Sequence, residues 1–179
     1  MKNSKLTQTV FIGLFAALIA VCSQIQIPGA VPFTLQTFAI FLAAGLLGGK
    51  RGTISVLIYI LIGAIGLPVF AGFKGGIGAL FGTTGGYIIG FIFIGLIYMV
   101  LTRLFGEKTP VKIGALLLGL IVCYAFGTVW FMYIYLRDTG PVGMMTVLSW
   151  CVFPFIIPDI VKMAVAVIIS KRIVPFIKQ

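Results

Sequence analysis

Six apolar runs, most of them about twenty residues long, constrain this chain more than any other feature. A helix needs roughly 20 mostly apolar residues to cross a bilayer, and short segments with Gly, Pro or charged residues separate the runs. The pattern predicts an all-α membrane protein with six transmembrane helices in a single domain, residues 1–179. The runs are Leu6 to Ile27, Phe33 to Gly49, Thr53 to about Phe70, Thr84 to Phe105, Ile113 to Leu136 and about Met145 to Ser170.

The composition indicates that lipid covers most of the surface. Apolar residues make up 61% of the 179 residues and charged residues 9%, whereas a soluble domain carries roughly half and a quarter. The net charge of +10 does not indicate nucleic-acid binding, because the Lys and Arg residues lie between the apolar runs, where topology-setting charges lie.

These positive charges predict the orientation. With the N-terminus in the cytoplasm, six spans return the C-terminus to the cytoplasm. Only Lys74 and Arg137 then lie outside, while Lys162 lies within the last span. This bias follows the positive-inside rule and predicts a multi-pass protein of a prokaryotic plasma membrane. The predicted cytoplasmic set is Lys2, Lys5, Lys50, Arg51, Arg103, Lys108, Lys112, Lys171, Arg172 and Lys178.

The inventory of reactive side chains argues against an enzyme. The chain has no His, and its acidic residues are Glu107, Asp138 and Asp159. It therefore lacks a His base, a His-rich metal site and a carboxylate pair. GLLGGK at 45–50 does not have the spacing of a phosphate-binding loop. We expect no catalytic residue, no metal, no cofactor and no nucleotide hydrolysis by this chain.

The last run contains the most informative local motif, PDIVK at 158–162. Charged side chains within a membrane are costly and usually face an interior cavity. Asp159 and Lys162 are three residues apart and share one helix face. They form either an ion pair that merely neutralises itself or one wall of a polar substrate pocket. Pro158 favours the pocket, because it leaves a carbonyl acceptor free near Asp159.

Two segments at the outer side add polar groups. Gly82, Thr84 and Gly85 open the fourth run, where free backbone N–H groups can bind an anion or a carbonyl oxygen. Tyr87 follows them with an aromatic body and a polar tip. Gly86 lies four residues after Gly82, a spacing typical of close helix packing.

The second run begins with the polar residues of PFTLQT, 32–37. Thr34 is suited to cap the helix, and Gln36 needs hydrogen-bond partners if it lies in a span. Together with the Gly-rich loop and the last run, this segment predicts a mostly apolar cavity for a small amphipathic molecule on the outer side.

The first run carries Ala16 and Ala20, with Gly13 and Ala17 beside them. Small residues four positions apart form a smooth ridge on which another helix can pack. The spacing predicts a helix-packing surface, although small residues are common in spanning helices.

VPFTLQT, GTTGGYIIGF and PDIVK, in this order and spacing, resemble the BioY family, the biotin-binding S components of energy-coupling factor (ECF) transporters. The resemblance covers nearly the whole chain. It implies capture of biotin from outside and coupling to a transmembrane T component and two ABC-type ATPases. It also implies that Ala16 and Ala20 contact the T component, and that Gly85, Tyr87 and the Asp159–Lys162 pair belong to the biotin site.

The chemistry of biotin suits these residues. Asp159 can accept an N–H of the ureido ring, and Lys162 can either offset the charge of Asp159 or attract the ligand carboxylate. Gln36 or backbone N–H groups can reach the remaining oxygens. The aromatic residues expected to wall the ring are Phe33, Tyr87 and Trp150.

An autonomous secondary transporter driven by an ion gradient is the alternative, because the two intramembrane charges could relay a proton. Six short spans without an obvious inverted repeat argue against this reading.

Overall fold

The computed structural model describes residues 5–177, and most of these residues lie in helices packed side by side. A two-stranded antiparallel hairpin, in which Gln26 pairs with Thr34 and Ile27 with Phe33, joins the first two helices. The all-α prediction missed this hairpin. In chain order the elements are α1 (Lys5–Gln24), β1 (Gln26–Ile27), β2 (Phe33–Thr34), α2 (Gln36–Leu47), α3 (Gly49–Ala64), α4 (Ile77–Leu80), α5 (Gly85–Phe105), α6 (Thr109–Asp138), α7 (Met144–Cys151) and α8 (Phe153–Ile177).

Four helical stretches within the described residues are long and apolar enough to cross a bilayer. The last stretch combines α7 and α8, which are separated only at Val152. The first, fourth, fifth and sixth apolar runs of the sequence correspond to these stretches. They are Lys5–Gln24, Gly85–Phe105, Thr109–Asp138 and Met144–Pro175.

The second and third runs form shorter helices. α2 has 12 residues and α3 has 16, so their lengths are about 18 and 24 Å, less than the hydrocarbon core of about 30 Å. Gly48 alone separates them, and its φ of 80° permits the sharp reversal. Gly52 then packs against Ala44, so that the two helices form a compact hairpin. α3 begins four residues before the predicted Thr53 and includes Lys50 and Arg51.

α2 lies at the centre of the bundle and is buried nearly all round. Ala39, Ala43 and Ala44 are at most 1% exposed, and these small side chains allow the neighbouring helices to approach closely. α2 contacts α1, α3, α5 and α8. A helix that is apolar on every face is expected only where protein or lipid surrounds it completely.

The outer surface of the bundle is apolar along several helices. Leu61, Ile121 and Ile157 are each at least 60% exposed. Exposed apolar surface of this extent is not found on soluble monomers, so lipid is the environment that suits it.

Gly119 tests how tightly α5 and α6 pack. A Cβ at Gly119 would lie 2.8 Å from the Cα of Ile94 on α5, whereas a Cβ at Gly114, also on α6, would meet open space. We expect Gly119→Ala to lower the free energy of unfolding by about 1–3 kcal/mol, because two backbones must separate. Gly114→Ala is the matched control and should leave stability unchanged or slightly higher. Thermal unfolding of both variants in detergent checks this, and equal stabilities would contradict the described packing.

Candidate functional site

A large cavity lies among the loops at the end of the bundle where α1 and α3 end and α5 begins. Its volume is about 730 Å³. The first loop, the Gly-rich segment after α3 and the first turns of α5 form its mouth, while α2, α6 and α8 form its floor. The sequence predicted a cavity built from these segments, and the structure brings them together.

Asp159 and Lys162 of α8 lie on the floor of this cavity. Asp159 is 2% exposed and Lys162 is 8% exposed, and 2.8 Å separate Lys162 Nζ from Asp159 Oδ1. Their spacing of three residues places both side chains on the face of α8 that meets α2. Each of the two side chains is therefore the partner of the other in a site shielded from water.

Protein groups occupy every donor of the Lys162 ammonium. Besides the bond to Asp159, Lys162 Nζ donates to the carbonyl oxygen of Thr34 at 2.7 Å and to Thr37 Oγ1 at 3.2 Å. An ammonium has three N–H donors, so none remains for a ligand. The ring of Phe33 lies 4.0 Å from Nζ and shields the charge further. Lys162 therefore fixes Asp159 and the start of α2 in place.

Asp159 keeps one acceptor position for a ligand. Its Oδ1 also accepts a hydrogen bond from Thr37 Oγ1 at 2.7 Å, and Oδ2 accepts one from the Tyr124 hydroxyl at 2.5 Å. A carboxylate offers about four acceptor sites, and the three protein donors leave about one of them open. An N–H group of a ligand can fill this position without leaving a buried charge unpartnered.

Gln36 is held in a second hydrogen-bond network beside the pair. Its Nε2 donates to the Tyr59 hydroxyl at 2.6 Å, and its Oε1 accepts from Thr34 Oγ1 at 2.9 Å. Thr34 Oγ1 also accepts the backbone N–H of Gln36 at 3.2 Å, but Leu35 and not Thr34 is the N-cap residue of α2, so the predicted cap at Thr34 is wrong. The partners that a buried amide requires are therefore supplied by α3 and by the β2 strand.

Trp130 of α6 contacts the glycine-rich wall of the cavity, which is the segment of residues 82–86 at the start of α5. Its Nε1 donates to the Gly82 carbonyl oxygen at 3.0 Å, and a Cβ at Gly86 would overlap its side chain. A Cβ at Gly127 would likewise overlap the Tyr87 ring, whose hydroxyl lies 3.1 Å from Thr128 Oγ1. The glycines of this segment therefore allow α5 and α6 to approach, and the approach sets the position of Tyr87.

Within residues 5–177, no group of three or more His, Cys, Asp or Glu side chains is arranged to hold a metal ion. Cys123 and Cys151 line the cavity as free thiols. The cavity therefore offers an apolar body, hydroxyls, backbone groups and one buried ion pair.

Comparison with known proteins identifies the family. The BioY family model matches residues 1–179. This chain belongs to the BioY family. A probable biotin transporter BioY of Pyrococcus horikoshii is 42% identical over 171 residues, covering 94% of this chain and 97% of the relative. The biotin transporter BioY of Thermotoga maritima is 42% identical over 167 residues, covering 93% and 95%.

A solved structure agrees with this assignment. The crystal structure of the S-component for biotin from an ECF-type ABC transporter superposes with a TM-score of 0.84 at 30% identity, covering 100% of this chain and 95% of that one. BioY proteins are transporter components and not enzymes. With its apolar helices, this BioY protein is a multi-pass protein of the plasma membrane.

Seven of the predicted substrate-binding residues of this BioY protein line the cavity, and three do not. The ring of Phe33 contacts the Lys162 ammonium. Gly85 packs against the main chain of Leu80, whose carbonyl group a Cβ at position 85 would overlap. Trp150 was expected to wall the ring, but it is 40% exposed and packs on Tyr135 with 6.1 Å between ring centroids. The seven residues that line the cavity are Thr34, Gln36, Gly82, Thr84, Tyr87, Asp159 and Lys162.

Two cavity residues were missed by sequence reasoning. Tyr124 lies in the middle of an apolar run, where a tyrosine carries no signal of its own, yet it donates to Asp159. Lys74 lies at the mouth, although its place between two apolar runs indicated only a topology-setting charge. Its position within a Gly-rich loop was the sequence feature that could have indicated a role at the cavity.

The partner surface predicted on α1, at Gly13, Ala16 and Ala20, stays a prediction, and the structure shows how far its residues are exposed. Ala16 is 3% exposed and belongs to the core of this chain, and Ala20 packs against that core. The same small size that suits a partner helix lets α1 pack against its own bundle. Gly13, which belongs to the predicted surface, and Ala17 are the exposed small residues of α1 and form a ridge on its outer side.

Proposed function

We propose that this chain is the substrate-capture subunit of a biotin transporter, binding biotin from outside and delivering it inward with an ATP-driven ECF module. The observation that carries the proposal is the buried Asp159–Lys162 pair on the floor of the cavity, in a member of the BioY family. Its relatives are named biotin transporters, and its structural neighbour is an S-component for biotin.

The ureido ring of biotin fits the floor. The ring has two N–H donors, and Asp159 has an acceptor position open toward the cavity. The apolar thiophane body of biotin can pack against Phe91, Leu120 and Phe155, which also line the cavity. This orientation leaves the valerate chain directed toward the mouth.

Lys74 is the group that best suits the ligand carboxylate. Lys162 has no donor left, so of the two roles that its sequence position allowed, we favour offsetting the charge of Asp159. The Lys74 ammonium lines the mouth and forms no ion pair or hydrogen bond within residues 5–177. A carboxylate at the end of a flexible chain can reach such a cation without desolvating it fully.

Lys74→Gln provides a test of this orientation. We expect the variant to lose about 10-fold in affinity for biotin and to bind biotin methyl ester nearly as the wild type does, because only the free acid pairs with the cation. Arg137→Gln is the matched control, since Arg137 pairs with Asp138 on the same proposed side. Competition binding with both ligands measures this, and equal losses for acid and ester would place the carboxylate elsewhere.

The proposed topology has six membrane crossings, with both termini in the cytoplasm. The basic residues at helix ends far from the cavity mouth support it: Lys5, Lys50, Arg51, Arg103, Lys108, Lys112, Lys171 and Arg172. Lys2 and Lys178, also predicted there, lie outside the described residues. In this topology the α2–α3 hairpin supplies two of the crossings, although each helix is shorter than the hydrocarbon core. Local thinning of the bilayer or flanking basic residues can accommodate the mismatch.

The proposed partners are a transmembrane T component and two ABC-type ATPases. GLLGGK at 45–50 does not have the spacing of a phosphate-binding loop, and in this proposal the ATPases of the module supply the energy for release. We place the contact with the T component on the exposed α1 ridge at Gly13 and Ala17, in place of the buried Ala16.

Uptake of labelled biotin separates this proposal from an autonomous ion-coupled transporter. Cells that express the chain with an ECF module should accumulate biotin, and cells that lack the ATPases should only bind it at the surface. Uptake that persists without the ATPases and collapses with an uncoupler would favour the secondary transporter.

A further inference from the structure

The last turn of α1 is bonded to a loop at the mouth of the cavity. Gln24 Nε2 donates to the Phe70 carbonyl oxygen at 3.1 Å, and Gln24 Oε1 accepts the backbone N–H of Phe73 at 3.0 Å. Ser23 Oγ donates to the Val69 carbonyl oxygen at 2.6 Å. The side-chain amide of Gln24 thus forms hydrogen bonds to the start of the loop at Phe70 and to its tip at Phe73.

This loop is a tight hairpin, residues 70–74. Phe70 and Lys74 exchange two backbone hydrogen bonds, of 2.9 and 3.2 Å. At the tip, Gly72 and Phe73 both have positive φ, 72° and 56°. A positive φ is unfavourable for a residue with a Cβ and persists where the surroundings hold it. The Phe73 side chain is 71% exposed, so this conformation is held by backbone bonds, namely the Phe70–Lys74 pair and the bond from the Phe73 N–H group to Gln24.

The base and the tip of the hairpin are held by different contacts. Phe70 is 1% exposed and packs edge-on against the Tyr59 ring, with 5.5 Å between centroids. The tip has no comparable packing, and Gly72, Phe73 and Lys74 are all exposed. Gln24 is therefore placed to determine where the tip lies relative to the cavity, which Gly72 and Lys74 line.

We propose that Gln24 is a positioning residue for the substrate cavity. Its side-chain amide fixes the hairpin tip over the mouth and thereby sets the position of the Lys74 ammonium. The inference rests on the proposed function, because it assigns Gln24 a part in retaining the biotin carboxylate. Gln24 itself does not line the cavity and acts through the hairpin.

Gln24→Met keeps a side chain of similar length and removes the bonds to Phe70 and Phe73. It also removes the bonds that Gln24 Nε2 donates to Ser23 Oγ at 2.7 Å and to the Pro68 carbonyl oxygen at 3.5 Å. Gln8→Met is the control, since Gln8 lies 16 positions earlier on α1, about 24 Å away. For each variant we would isolate the folded, monodisperse fraction. We would then measure the dissociation rate of biotin and the affinity ratio of biotin to biotin methyl ester.

We expect Gln24→Met to release biotin about 10-fold faster, as the loss of two hydrogen bonds to the loop implies, and to reduce the preference for the free acid over the ester. Gln8→Met should match the wild type. A purely structural role would lower thermal stability and leave both quantities of the folded fraction unchanged, which would overturn the inference. A loss of affinity that is equal for biotin and for biotin methyl ester would also overturn the inference. Absence of biotin binding by the wild type would instead refute the proposed function itself.

Discussion

Asp159→Asn is expected to lower the affinity for biotin by about 100-fold, because the ureido N–H loses its charged acceptor, a hydrogen bond of about 1.5–3 kcal/mol. Removing one member of a buried ion pair separately lowers the free energy of unfolding, by about 3–5 kcal/mol. Asn also replaces one carboxylate oxygen by an NH₂ group, which accepts no hydrogen bond. The bonds from Lys162 and Thr37 are lost if the NH₂ group stands at Oδ1, and the bond from Tyr124 is lost if it stands at Oδ2. The acceptor position that is open to the ureido ring is then lost or redirected. Calorimetric titration of biotin measures the change.

Two further variants separate binding from folding. Asp138→Asn is the matched control, because the Asp138 carboxylate pairs with Arg137 at an exposed position. The double variant Asp159→Leu with Lys162→Met removes both charges, and such replacements are often neutral or stabilising. We expect it to fold and to bind no biotin. Wild-type affinity in Asp159→Asn, or binding by the double variant, would show that the pair serves only the fold.

Gly85→Ala should lower biotin affinity by about 10- to 100-fold, since overpacking of about 1–3 kcal/mol must be relieved by moving backbone. A Cβ at Gly85 would overlap the main-chain carbonyl group of Leu80, and a carbonyl cannot change rotamer. α4 and the segment from Gly82 to Thr84 must shift, and both line the cavity.

The effect of Gly85→Ala should be local. Gly114→Ala, which adds a Cβ in open space, is the control for loss of a helical glycine. We expect both variants to stay folded and only Gly85→Ala to bind biotin with lower affinity than the wild type. Unchanged affinity in Gly85→Ala would show that the loop yields without disturbing the ligand, and that the Gly-rich wall does not contact it.

The positions of the helices and of the charged pair could be predicted because both follow from the cost of placing polar groups in lipid. Apolar runs located every long helix within a few residues. Asp159 and Lys162 stood out because few other charges interrupt those runs. The division of the last run into α7 and α8, and the length of α2, depend on packing and carried no sequence signal.

Positions whose role depends on direction around a helix could not be predicted in the same way. Ala16 and Ala17 are adjacent small residues, and only the assembled bundle shows that Ala16 faces inward. Trp150 resembles a pocket aromatic in sequence, yet its indole packs on Tyr135 away from the cavity. Tyr124 contributes to the site because α6 passes Asp159, a long-range neighbour that periodicity does not reveal.

Calorimetric titration of biotin into the purified, ligand-free chain tests the central claim most directly. The account predicts saturable binding with a ratio of biotin to chain close to unity, abolished in the double variant at positions 159 and 162. Absence of saturable binding by the folded wild-type protein, or equal binding by the double variant, would contradict it.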